Sequence, residues 1–111
     1  MTNDESAGLC VGLMLIGTNQ YKFPAKDWDA QSKKVFLKHS PTFQRINPLM
    51  QKCLQGDDKK FFACLAKLST KGDRDFYTGI NTGIGVADKA FAQGGFDLLK
   101  MMGGIHCSGV R

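Results

Sequence analysis

The chain has little of what several function classes depend on. Its longest apolar run, AGLCVGLMLIG over residues 7–17, falls short of the roughly 20 residues that a membrane-spanning helix needs, so no membrane insertion is expected. The run is also a poor signal peptide, because Asp4 and Glu5 stand where a positive n-region belongs and no small-residue cleavage site follows cleanly. Either the protein is cytoplasmic, or Met1 opens a mature form, periplasmic or secreted, whose signal peptide has been removed. There is no GxGxxG, P-loop, HExxH or GxSxG pattern, so the usual phosphate-cradling, zinc-hydrolase and serine-hydrolase signatures are missing. No cofactor is implied. CxxC pairs are missing too, and zinc sites recruit such pairs because one tight turn presents two ligands, so no metal site is expected. Only 2 histidines, His39 and His106, could serve as a general base. His39 reads as a helix-end cation and His106 as part of a mobile or disulfide-tethered tail. No catalytic residue is assigned, and the chain reads as a non-enzyme.

What is present suits one small globular domain over residues 1–111, 42% hydrophobic and 23% charged. A chain of this length buries only about 60 to 65% of the surface its unfolded form exposes, so cross-links would add usefully to a modest core. Cys10, Cys53, Cys64 and Cys107 form an even set that reads as two disulfides in an oxidising compartment. Three pairings are open, and four buried thiols in a reducing cytosol are the alternative. The 15 basic against 10 acidic residues give a net charge of +5, which fits either solubility or an acidic partner.

Apolar spacing of three and four residues dominates, and alternating strand patterns are scarce, which predicts an all-α single-domain bundle of about five helices. A first, central helix is expected over 6–20, carrying Leu9, Leu13 and Ile16 with Cys10 and Met14 beside them. Asp27 caps a second, with Trp28, Val35, Phe36 and His39 on one face and Lys33, Lys34 and Lys38 outside. Ser40-Pro41 signals a third start, serine as N-cap and proline at the first helical position. Phe43, Ile46, Met50 and Cys53 follow at helical spacing, and Pro48 predicts a kink or a new helix capped by Asn47. Asp57 or Asp58 opens a further helix with Phe61, Phe62, Leu65 and Leu68 inward. Asp73 and Asp75 open the longest one, striped by Phe76, Ile80, Ile84, Ala87 and Phe91. Its second stripe, Gly79, Gly83 and Ala87, predicts close approach by another helix, of the same chain rather than a partner in a binding groove. Gly94-Gly95 is expected to stop it, leaving an apolar piece over 96–102 and a Gly-rich tail to Cys107.

Six of the 10 acids fall in these first turns, where they complement the helix dipole, so few remain for chemistry. Two loop regions carry the candidate partner-binding residues: Asp57, Asp58, Lys59 and Lys60 at one corner, and Lys71, Asp73 and Arg74 at the other. The lysines outside them are broken up by acids and lack an RNP-type aromatic motif, so nucleic acid is the lesser reading. Met14, Met50, Met101 and Met102 read as core rather than as the lining of an apolar-ligand site.

Three pieces of residues 1–64 carry a family resemblance: CVGLMLIG over 10–17, VFLKHSP over 35–41 and KCLQGDDKKFFAC over 52–64. They resemble the small periplasmic immunity proteins that protect bacteria from type VI secretion effectors, including cell-wall amidases. Leu37, His39 and Pro41 approximate that family's Leu-x-x-His-Pro step with Ser40 inserted, and Phe62-Ala63-Cys64 replaces its Phe-Pro-Cys ending. Residues 65–111 have no counterpart. The resemblance implies an exported, disulfide-linked helical protein that binds and inhibits a secreted hydrolase effector, and a homodimer would be in keeping with it. The alternative from the residues alone is a cytosolic helical adaptor or nucleic-acid-associated protein with reduced cysteines.

Overall fold

The computed structural model describes residues 1–16, 40–53, 60, 63, 64, 66, 67 and 74–111, and among these there is helix and no strand. Helix α1 spans Asn3–Val11 and runs on as a π-helical turn over Gly12–Ile16. It starts at Asn3 rather than Ser6 because Thr2 is its cap: the Thr2 hydroxyl oxygen accepts the Glu5 N–H at 3.1 Å, with Asp4 and Glu5 in the first turn. That T-x-x-E arrangement satisfies an orphan backbone donor and sets two negative charges at the positive end of the helix. As expected for a central element, Ala7, Cys10 and Val11 are fully buried.

Helix α2, Pro41–Cys53, begins as the sequence predicts, with the buried Ser40 hydroxyl accepting the Phe43 N–H at 3.2 Å and Pro41 in the first turn. Pro48 neither ends the helix nor starts another. It lies on the exposed side, so its missing N–H falls where solvent reaches, while Phe43, Ile46, Met50 and Cys53 keep one unbroken buried face.

Helix α3, Arg74–Ser108, bends at Gly95, whose φ of 67° and ψ of −159° only glycine adopts readily. The bend divides it into a first arm, 74–94, and a second, 96–108. Regular helix thus breaks where the stop at Gly94-Gly95 was expected, whereas the glycine-rich segment expected to be a tail is helix. Tertiary contacts hold it so. Gly103 is covered by the Met14 side chain, and Cys107 is bonded to Cys10.

The arms embrace α1. Along the first arm the chains run parallel: Thr2 donates to the Asp75 carboxylate at 3.2 Å, and Gly8 and Gly12 face Gly79 and Gly83. Along the second they run antiparallel, with Ser6 against His106, Cys10 joined to Cys107 and Met14 over Gly103. At the four-glycine crossing the two backbones touch. A Cβ built on Gly83 would lie 2.9 Å from the Gly12 Cα, and one on Gly79 would lie 2.9 Å from the Leu9 N. The small-residue stripe is thus an intramolecular packing surface, and Ala87 extends it into a cluster with Leu13, Ala90 and Leu99.

Helix α2 packs Phe43, Ile46 and Met50 into the main core with Ala7, Val11, Phe76, Ile80 and Val110. The Thr42 hydroxyl donates to the Arg111 carbonyl at 2.6 Å, and the Arg45 guanidinium pairs with Asp4. Three helices are described where about five were expected. The 96–102 piece is an arm of α3, and the residues of the helix expected from Asp27 lie outside the described ones. Of the helix expected from Asp57 or Asp58, Lys60, Ala63, Cys64, Ala66 and Lys67 are helical, whereas Phe61, Phe62, Leu65 and Leu68 lie outside the described residues.

Candidate partner-binding site

All four cysteines are paired, which selects one of the three possible connectivities: Cys10–Cys107, with Cα atoms 5.1 Å apart, and Cys53–Cys64, 5.4 Å apart. No thiol is left as a nucleophile or ligand. Among the described residues no three His, Cys, Asp or Glu side chains group into a metal site. No helix there is long and apolar enough to cross a membrane.

The Cys53–Cys64 bond closes a ring whose sequence holds Asp57, Asp58, Lys59 and Lys60, the corner singled out for partner binding. Such a closure shortens the range of shapes the corner can take, which lowers the ordering cost of any complex it makes. Of the candidate residues, Lys60 and Arg74 are described and both are exposed, Arg74 as the first residue of α3. Asp57, Asp58, Lys59, Lys71 and Asp73 lie outside the described residues. Lys60, Ala63, Cys64 and Lys67, at spacings of three, one and three, share one helical face and line a depression of about 400 Å³. The face presents one lysine on each side of the half-buried, disulfide-bonded Cys64.

Among the described residues, Ser6 and His106 form the one pairing that resembles a nucleophile and its base. His106 Nε2 lies 3.4 Å from the Ser6 hydroxyl, but 2.8 Å from the Ser6 backbone carbonyl. A carbonyl only accepts, so Nε2 carries a proton pointing at it and is not a free lone pair for the hydroxyl. The contact is a latch between α1 and the second arm of α3, one residue from the Cys10–Cys107 bond. It replaces the mobile alternative for His106 with the tethered one. His39 lies outside the described residues.

The second arm also carries a feature that the sequence reading missed. Met101 is 56% and Ile105 69% exposed, and half-buried Leu98 and Met102 flank them at helical spacing. Of the four methionines read as core, Met50 is fully buried and Met14 packs over Gly103, whereas Met101 faces outward. The signal was available, since Leu99, Gly103 and Cys107 at spacings of four mark the inward face and leave Met101 and Ile105 opposite.

Comparison of the chain with protein-family models, with curated proteins and with solved structures returned no match.

Proposed function

We propose that the protein is a non-catalytic binding protein of the exported inhibitory type, which presents the Cys53–Cys64 corner to a protein partner. The resemblance of residues 1–64 to immunity proteins makes a secreted cell-envelope hydrolase the partner, and periplasmic or secreted the location. The observation that carries the reading is the Cys53–Cys64 disulfide, which closes a short ring whose sequence holds Asp57, Asp58, Lys59 and Lys60. Two disulfides in a chain of 111 residues fit an oxidising compartment. The exposed Lys60 and Lys67 would complement an acidic rim around a hydrolase cleft.

The test is protection. When the protein is directed to the periplasm of a bacterium exposed to cell-wall amidase effectors, it rescues growth against one of them and binds that amidase in purified form. Charge reversal by Lys60→Glu with Lys67→Glu weakens the complex. If the chain neither protects against nor binds any of a panel of envelope amidases, but is retained on nucleic acid in a salt-dependent way, the adaptor reading replaces this one.

A further inference from the structure

The two disulfides sit in different surroundings. Cys10 and Cys107 are 0% and 1% exposed, sealed between α1 and the second arm of α3 within the main core. Cys53 is 3% exposed in that same core, but its partner Cys64 is half-buried and opens onto the depression of about 400 Å³ between Lys60 and Lys67. Thiol–disulfide exchange needs a thiolate to reach one sulfur of the bond, so access decides which bond and which sulfur react. Of the four cysteines, Cys64 alone is more than a few per cent exposed and lines a depression.

We propose that Cys64 is a thiol-exchange and S-thiolation site for anionic low-molecular-mass thiols, received in the depression between Lys60 and Lys67. Lys60 and Lys67 stand one turn before and after Cys64 on the same helical face, so an approaching thiolate with carboxylates meets two cations flanking the sulfur. The thiolate sulfur attacks Cys64 Sγ, and a new S–S bond forms there. The Cys64–Cys53 bond breaks with its electron pair going to Cys53 Sγ. That sulfur takes up a proton equivalent to the one the incoming thiol released on ionising. Disulfide and thiol thus become a mixed disulfide and a protein thiol, with no other oxidant or reductant consumed.

The released Cys53 sulfur lies in the apolar core with Phe43, Ile46 and Met50, and Cys53 is 3% exposed, so an incoming thiolate meets the bond from the Cys64 side and not from Cys53. The inference rests on the burial of the two bonds and on the lysine-flanked depression. It is independent of the binding role proposed for the same corner.

The full chain, both disulfides formed, is incubated with glutathione, quenched with an alkylating agent and mapped by peptide mass spectrometry. One glutathione on Cys64, an alkylated Cys53 and an intact Cys10–Cys107 bond are expected. In the Lys60→Glu, Lys67→Glu variant the glutathione reaction slows about three- to tenfold, and that difference shrinks in high salt. The rate with the uncharged thiol 2-mercaptoethanol changes little. On the unaltered protein, glutathione against cationic cysteamine, each corrected for its intrinsic thiol reactivity, shows the same charge preference without any variant. Opening of Cys10–Cys107 first or at the same rate, an adduct on Cys53, or no preference between anionic and cationic thiols would overturn the proposal.

Discussion

Gly83 and Gly85 lie on the same arm of α3, yet alanine is expected to act on them in opposite directions. Nothing stands within 4 Å of a Cβ at Gly85, so Gly85→Ala gains helix propensity and chain entropy, about 0.5 to 1 kcal/mol of stability. A Cβ at Gly83 would lie 2.9 Å from the Gly12 Cα. The atom in the way is backbone that cannot rotate aside, so Gly83→Ala costs about 1 to 3 kcal/mol through overpacking. Thermal unfolding with both disulfides intact reads the two signs, and stabilisation by both substitutions would mean that α1 and α3 do not cross at these glycines. Gly95→Ala is expected to lose about 1 to 3 kcal/mol although the space around it is open, because its φ of 67° suits no L side chain. The stripe of Gly79 and Gly83 was legible in the sequence as a packing face. Its counterpart, Gly8 and Gly12, has the same spacing of four and was passed over, since an apolar run hides glycines that a polar helix would display.

At the scale of the element, α2 and α3 differ in how local their causes are. Ser40-Pro41 announces the start of α2 in two adjacent residues, and the structure keeps it. Pro48 predicts a kink or a new helix, and of the two the new helix does not occur: α2 runs through Pro48 because the buried face from Phe43 to Cys53 outweighs one lost backbone bond on the exposed side. The unfavourable term is still there, so Pro48→Ala is expected to raise stability by about 1 to 3 kcal/mol in denaturant unfolding and to leave the helical signal unchanged or slightly higher. A loss of stability would show instead that Pro48 sits outside regular helix. Thr2→Ala is expected to cost about 1 kcal/mol by the same measurement, as the loss of an N-cap does. The second arm of α3 could not be read locally. Gly103 and Gly104 each oppose helix by about 1 kcal/mol relative to alanine. What holds the arm is Met14 over Gly103, His106 on the Ser6 carbonyl and the bond to Cys10, all contacts to a segment far away in sequence.

The same locality separates the two disulfides when the whole molecule is considered, and it explains why composition revealed an even cysteine set but not its pairing or the site. Cys53 and Cys64 are 11 residues apart, and their ring contains the Asp57-to-Lys60 corner that the sequence singles out for partner binding. Cys10 and Cys107 are 97 apart and meet only because the bend at Gly95 brings the second arm back along α1. Closing the long ring removes more freedom from the unfolded chain, about 4.7 kcal/mol against about 2.8 kcal/mol for the short one on the chain-entropy account. The Cys10–Cys107 bond also fixes the arm whose glycines disfavour helix, so its loss falls on native packing as well as on the unfolded chain. Replacing Cys10 and Cys107 together by alanine is therefore expected to lower the midpoint of thermal unfolding more than replacing Cys53 and Cys64. The second pair should leave a cooperative transition and most of the helical signal. Circular dichroism on both double variants decides the order. A larger loss from the Cys53–Cys64 pair would make the short ring, and not the hairpin of α3 around α1, the element on which the fold depends. Its opening by a thiol would then unfold the molecule rather than expose a corner on an intact scaffold.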